Sequence, residues 1–337
     1  MLKLEEVELN ERFSVEGSKC DTFECSKIKE KDIDELVQSR KIVNGRVERV
    51  LGNGDAIVRF ESGLTAVCPY DETDIRDKKR LSYIRRMIGE NFDFLINGRN
   101  ENGEIVLSRK EIQKEVVEYL KHDINPGTIL NGKVVGMGEH GIYFDIGRGI
   151  RGFLDYKDEA INRHCRKYSI GDEIPVVFRG ICPNYRALLS TVELYGDWEQ
   201  NEEVLDMYEA RIGVVKTVSE TGAFIAVSHN LTGLADVIDG FDLESGDVVS
   251  VVIRGKSKEK MRIKLMVVKK LDKSNNIEPH MFTRSGRIVK WEYAPENYIG
   301  NKRTYSIDYE GKSSILEFKD RQDKKQDEEK SKKDEEN

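Results

Sequence analysis

The chain has 337 residues, of which 38% are hydrophobic and 35% are charged. A chain of this length and polarity is poor material for one large core, so the composition favours several small domains. No stretch reaches the apolar length of a membrane span, and the first residues lack the charged-then-apolar layout of a secretory signal. We therefore expect a cytoplasmic protein with no membrane partner.

The formal net charge of −7 leaves nucleic acid open as a partner, because the charge is unevenly distributed. Acidic residues exceed basic ones in residues 1–40 and 196–206, whereas residues 41–110, 125–195 and 207–271 are each slightly basic. Binding phosphate requires a local basic patch, not a basic total. The five cysteines are scattered and include no Cys-x-x-Cys pair, so we expect no disulfide framework, no metal site and no cofactor.

The chain begins with an acidic arm, predicted to be flexible and to end in a short helix over 32–39. A repeated pattern follows the arm. Gly-x-Val, six further residues and a second Gly occur three times with one spacing, at 45–54, 132–141 and 213–222. Each copy continues into about five short runs of alternating or β-branched residues bounded by Gly, Asn or Asp, which is typical of a small antiparallel barrel.

The second copy has the clearest strand pattern, and its strands are predicted near 129–137, 142–147, 151–155, 173–180 and 185–191. In every copy the longest gap lies between the third and fourth strands. In the first copy this gap holds the basic segment 75–88, which favours a helix.

Different elements are predicted between and after the copies. The segment after the first copy has apolar residues at helical spacing and is predicted to be a linker helix. Beyond residue 271 the repeat ends, and strands are predicted at 287–293, 305–309 and 313–318, the last two joined by a turn at Glu310-Gly311. The aromatic residues of this segment, such as Trp291, fit the core of a small sheet better than a further stacking surface.

The elements together predict an all-β protein with three tandem five-stranded OB-fold barrels, short helices and a small C-terminal β unit. The predicted organisation is an acidic arm with a short helix at 1–40, a first domain at 41–110, a helical linker at 111–124, a second domain at 125–195, an acidic linker at 196–206, a third domain at 207–271, a small β segment at 272–318 and a disordered charged tail at 319–337.

The repeated pattern resembles the S-one RNA-binding domain. Gly-x-Val, six residues, Gly-x-aromatic-hydrophobic-Asp-hydrophobic, a Gly-hydrophobic-hydrophobic, a Gly-Asp and a closing Leu-Ser follow in this order in the second copy. The third copy departs from the pattern by ending in Leu265-Met266. The segment 32–120 is similar to bacterial small-subunit ribosomal protein S-one itself, and the resemblance as a whole covers residues 32–270.

The resemblance implies that single-stranded RNA crosses the outer face of the second and third strands of each barrel. In the family, aromatic residues on this face precede the loop Gly and lie two positions after it, which places His140 and Tyr143 there in the second copy. Alternation along the strand independently directs Tyr143 outward. The phosphate contacts expected beside them are Lys133, Arg148, Arg151 and Arg186.

The three copies differ in the side chains that are available to contact RNA. The third copy offers Phe224, with Lys216, Arg262 and Lys264 as expected phosphate contacts. In the first copy the equivalent position is Ile57, allowing for one inserted residue, and an aliphatic side chain cannot stack a base. We therefore rank the copies second, third, first in RNA affinity. The first copy is expected to serve as a dock, as the first domains of the family do.

The basic segment of the first copy has two interpretations. Its arginines are candidates for contact with ribosomal RNA or phosphate, or they form a solvated helix face beside acidic neighbours: Arg76, Arg80, Arg85 and Arg86.

These observations predict a monomeric, non-enzymatic protein that acts in translation, binds single-stranded RNA such as mRNA and associates with the small ribosomal subunit. The sequence contains no catalytic-sized domain, no carboxylate cluster suited to two metals and no phosphate-binding glycine loop, which argues against an RNA-processing enzyme. The alternative is a regulatory protein that uses its barrels to bind other proteins on ribosomes or the RNA-degrading machinery.

Overall fold

The computed structural model describes residue 15 and residues 28–76, 81–165, 167–236, 242–298, 300 and 305–316. Most of the predicted acidic arm, the predicted charged tail and Arg80 lie outside these residues. Within these residues the α-helices are α1 (Ile33–Ser39), α2 (Leu81–Arg85), α3 (Lys110–His122) and α4 (Trp198–Glu203). None of the helices in these ranges is long and apolar enough to cross a membrane.

Three closed five-stranded barrels dominate the fold. Barrel 1 consists of β1 (Val43–Val50), β2 (Ala56–Arg59), β3 (Thr65–Cys68), β4 (Asn91–Arg99) and β5 (Ile105–Ser108). Barrel 2 consists of β6 (Ile129–Met137), β7 (Gly141–Asp145), β8 (Arg151–Asp155), β9 (Glu173–Ile181) and β10 (Ala187–Ser190). Barrel 3 consists of β11 (Ala210–Ser219), β12 (Gly222–Ala226), β13 (Thr232–Ala235), β14 (Val248–Ser257) and β15 (Arg262–Leu271).

All three barrels share one connectivity. The first three strands form an antiparallel meander, and the barrel closes where the third strand pairs in parallel with the fifth. The repeated glycines allow this close packing. A Cβ on Gly141 would lie 2.2 Å from the backbone oxygen of Leu154, so the start of β7 can approach β8 only without a side chain. The predicted fold of three OB-type barrels is therefore confirmed.

A buried joint connects barrels 1 and 2. Helix α3 packs its apolar face beneath barrel 2, and the side chain of Gln113 accepts a hydrogen bond from the backbone N–H of Ile75 at 2.7 Å. The guanidinium of Arg148, in the β7–β8 turn, forms a buried ion pair with Asp93 on β4 of barrel 1. Because charges are rarely buried without partners, this pair fixes the two barrels against each other.

A second joint connects barrels 2 and 3 and includes the predicted acidic linker. Trp198 of α4 is only 1% exposed and packs in the core of barrel 3. The side-chain amide of Asn230 donates to the backbone oxygens of Val192 at 2.8 Å and Gly196 at 2.7 Å. The acidic residues of this segment therefore lie on an ordered helix between barrels 2 and 3.

The C-terminal segment runs back over barrel 2 as a strap, defined by residues 277–298 and 305–316. Its two short strands, β16 (Lys290–Glu292) and β17 (Ser306–Asp308), pair with each other. The predicted hairpin between 305–309 and 313–318 is wrong in its partner: residues 314–316 instead bond to Ile181 at the end of β9. Gly311 does turn the chain, but the segment after it satisfies the backbone N–H and C=O of Ile181 at the end of β9.

Candidate nucleic-acid interface

Two aromatic rings lie side by side on the outer face of barrel 2. Along β7 the side chains of Ile142 and Phe144 are fully buried inside the barrel, so alternation directs Tyr143 outward. The antiparallel register pairs Tyr143 with Phe153 on β8, and both side chains are half-buried. Their ring centroids lie 5.2 Å apart at an interplanar angle of 45°, so each ring presents its face in a different direction.

A guanidinium group completes this face. Parallel pairing of β8 with β10 brings Arg186 beside the rings, with its Cζ 6.0 Å from the centroid of Tyr143 and 5.8 Å from that of Phe153. No ion pair holds Arg186 among the residues that the structure describes. We call Tyr143, Phe153 and Arg186 the barrel-2 platform; it combines stacking surface with a positive charge free to meet a phosphate.

The loop between β6 and β7 borders one end of the platform. His140 is exposed there, and its backbone oxygen accepts from the N–H of Tyr156. The Tyr156 hydroxyl donates to the backbone oxygen of Gly138 at 3.1 Å, and the guanidinium of Arg163 lies 5.5 Å from the Tyr156 ring. A further ring with a cation thus stands next to His140.

Two of the predicted phosphate contacts are engaged away from this face, and a third is half-buried. Arg148 is 4% exposed and engaged with Asp93, so its assignment to the RNA face is wrong: the turn that carries it faces barrel 1. Lys216 is withdrawn into the joint with barrel 2 beside Cys165; burial lowers its pKa, and the neighbouring thiol acts in the opposite direction. Lys133 is half-buried and lies opposite the buried Asp145 in the strand register.

Arg151 has a different environment from the one expected. Its guanidinium lies 4.8 Å from the ring centroid of Tyr83, which is carried by α2 of barrel 1. Arg85 and Arg86, at the end of that helix, are exposed, so both interpretations of the basic segment stand for them. Sequence reasoning missed Phe153 and Tyr83; outward alternation in Gly152-Phe153-Leu154 could have signalled the first, whereas the second depends on contacts between barrels.

The equivalent faces of barrels 1 and 3 are weaker versions of the platform. In barrel 3, Phe224 is 43% exposed and pairs with Leu234 in place of a second ring. Arg262 and Lys264 on β15 are exposed, and Lys264 pairs with Leu234, so cations lie beside the single ring. In barrel 1 the same register pairs Ile57 with Val67, which agrees with the predicted insertion and leaves no ring to stack on.

The chain is similar in sequence to known ribosomal proteins. No protein-family model matches the chain. The chain is 24% identical over 204 residues to small ribosomal subunit protein bS1 of Staphylococcus aureus, a match that covers 53% of this chain and 50% of that protein. The corresponding protein of Staphylococcus saprophyticus is 25% identical over 196 residues, covering 52% and 49%. The chain thus spans about half the length of the curated relatives it matches.

Among solved structures, the chain is similar to a multidomain protein with nucleic acid binding domains from Streptococcus pneumoniae, at 11% identity and a TM-score of 0.24 over 68% of this chain and 74% of that one. A TM-score this low supports no conclusion. The ribosomal matches, together with the three barrels and their repeated motifs, confirm the predicted resemblance of this chain to bacterial small ribosomal subunit protein bS1.

Proposed function

We propose that this protein binds single-stranded RNA on the barrel-2 platform and acts in translation. The observation that carries the proposal is the pairing of Tyr143 with Phe153 beneath Arg186, which forms no ion pair with the residues that the structure describes. Rings on the strand-two and strand-three face of an OB barrel stack bases, and a nearby cation balances the backbone charge. The relationship to a ribosomal protein supports the translational setting.

The geometry also supports an order of affinity among the barrels. Stacking contributes about 1–3 kcal/mol per base, so two rings on barrel 2 offer roughly twice what Phe224 offers on barrel 3. Barrel 1 contributes no ring at this position. Because every base has a stacking face, the platform offers little sequence preference. We place the protein in the cytoplasm as a monomer that holds mRNA at the small ribosomal subunit.

Barrel 1 supports a second role. Its aliphatic pair, Ile57 and Val67, suits contact with protein better than contact with bases. Docking of barrel 1 to a ribosomal protein would leave the other barrels free to hold RNA. Co-sedimentation with ribosomes that survives nuclease treatment but is lost on Ile57→Arg substitution would support such a dock.

A titration of fluorescent single-stranded RNA at several salt concentrations tests the proposed function. We expect binding that weakens as salt rises, because each neutralised phosphate releases counterions. A duplex of the same sequence should bind more weakly, since its bases are not available to the rings. Undetectable binding of single strands by the full chain would overturn the proposal, and equal affinity for duplex and single strand would overturn the stacking mechanism.

A further inference from the structure

A cleft separates barrels 1 and 2 next to the barrel-2 platform. It encloses a cavity of about 390 Å³, to which barrel 1 contributes the segment 74–76 and Gln113, while barrel 2 contributes the segment 149–151 and the β9–β10 turn. The ionisable side chains that line it are Asp74, Arg76, Arg151, Tyr185 and Arg186. Three arginines therefore converge on one cavity from two domains.

Two of the three arginines contact an aromatic ring of barrel 1. The Cζ of Arg76 lies 4.7 Å from the ring centroid of Tyr83, and that of Arg151 lies 4.8 Å from the same centroid. One ring thus attracts a guanidinium from each barrel. Cation–π contact orients these groups without neutralising their charge, so two like charges remain close together at the mouth of the cleft.

Asp74 offsets only part of this positive charge. Its carboxylate accepts from Arg76 at 2.7 and 2.8 Å and also lies 3.5 Å from the buried Arg109. Burial by itself raises the pKa of Asp74, but the hydrogen bonds from Arg76 and the charges of Arg76 and Arg109 outweigh it, so the pKa is lowered. Arg151 and Arg186 form no ion pair among the residues that the structure describes.

We infer that this cleft is a phosphate-binding site for the backbone of an RNA strand that leaves the barrel-2 platform, so that barrels 1 and 2 form one composite RNA site. This inference rests on the proposed function. Continuity between the two sites comes from Arg186, which lines the cavity and also covers the rings of the platform. Arginine presents planar donors that match phosphate oxygens, and an anion in the cleft relieves the repulsion between Arg76 and Arg151.

The consequence concerns barrel 1. Its own strand face carries Ile57 and Val67 and cannot stack bases, yet it supplies Arg76 and Tyr83 to the site of its neighbour. Barrel 1 therefore contributes to RNA affinity through a loop and a short helix outside the usual binding face. A short RNA that covers only the platform does not reach these residues, whereas a longer one does.

The test compares two fluorescent single strands on the full-length protein: one of about four nucleotides and one of about twelve, within the range of OB-fold site sizes. Arg76→Gln and Arg151→Gln remove one cation from each side of the cleft. Arg284→Gln is the matched control, since it removes the same charge from an exposed position on the strap outside the cavity. Circular dichroism and thermal melting of each variant verify folding; Arg151→Gln breaks no ion pair of the described residues.

We expect each cleft variant to weaken binding of the longer RNA about tenfold and to leave the short RNA unaffected. The slope of log affinity against log salt should fall by about 0.7 for each lost phosphate contact, and the control should keep the wild-type slope. Wild-type affinity and slope in both cleft variants overturn the composite site. A double variant Tyr143→Ala, Phe153→Ala that binds both RNAs normally overturns the proposed function instead.

A further experiment distinguishes the backbone phosphate of RNA from the phosphate of a free nucleotide as the group bound in the cleft. Adenosine monophosphate is added as a competitor to the complex with the longer RNA. We expect no competition at concentrations that leave the short RNA bound, because a single nucleotide does not span platform and cleft. Competition that disappears in the Arg76→Gln variant assigns the cleft to a free nucleotide and overturns its assignment to the RNA backbone.

Discussion

Replacing Tyr143 with Ala removes one of the two rings of the barrel-2 platform and leaves Phe153 in place. Base stacking on an aromatic ring contributes about 1–3 kcal/mol, which corresponds to roughly 5- to 150-fold in affinity. The rings are inclined at 45° and so serve separate bases, which means that the loss of one ring should not abolish the stack on the other. We therefore expect weaker binding of single-stranded RNA without a change in salt dependence.

The more specific part of this prediction is that Tyr143→Ala leaves the salt dependence of RNA binding unchanged. Tyr143 carries no charge, whereas Arg186 above it does, so only Arg186→Gln should lower the salt slope, by about 0.7. The two substitutions therefore separate stacking from phosphate contact on one platform. Loss of the contact between the two rings should cost about 1 kcal/mol of stability, which thermal melting measures independently of RNA.

Fluorescence anisotropy with a labelled single strand measures both quantities. Two controls are available within the chain: Tyr143→Phe, which keeps the ring, and Ile57→Ala, which truncates the register-equivalent residue of barrel 1. Both should bind RNA as the wild type does. A folded Tyr143→Ala protein with unchanged affinity, or an Ile57→Ala protein with an equal loss, would refute the reasoning that the outward ring of β7 stacks a base.

Three other substitutions or reactions probe the rest of the molecule. Arg148→Met leaves its buried carboxylate partner without a counter-charge and should cost about 3–5 kcal/mol, seen as an earlier urea transition of barrels 1 and 2. Burial raises the pKa of Cys165 to about 12, so iodoacetamide should label the more exposed Cys182 first, as peptide mass spectrometry would show. Gly127→Ala places a Cβ 1.9 Å from a backbone oxygen of the strap and should expose the strap to limited proteolysis; Gly103→Ala, with positive φ but open space, should not.

The barrels could be predicted because each depends on local pattern. Alternation fixes which side chains of a strand face inward, and recurrent glycines mark the strand starts, so three copies in register strengthen one another. The predicted strands of the second copy lie close to β6–β10, and the outward direction of Tyr143 follows from the burial of Ile142 and Phe144. Even the inserted residue before β2 could be recognised, since only that register places Ile57 outward.

The features that the sequence did not predict have a different origin: they depend on contacts between units that are distant in sequence. The turn at Gly311 was predictable, but the partner of the segment after it is Ile181, a residue of barrel 2. In the same way the acidic composition at 196–206 predicted a linker but gave no sign that Trp198 anchors that segment in the core of barrel 3. Composition and turn signals report on a segment alone, whereas tertiary surfaces decide what it pairs with.

Arg148 shows how such an error can still bear on function. Sequence order placed it beside Arg151, and both were expected to contact phosphate. The structure separates them by role: Arg148 pairs with Asp93 and fixes barrel 1 against barrel 2, while Arg151 points to Tyr83 across the joint. Without the fixed joint, Arg76 and Arg151 would not converge on one ring. The buried arginine therefore acts on RNA affinity through the geometry of the cleft, so Arg148→Met should weaken binding of a long RNA and spare a short one held by the platform alone.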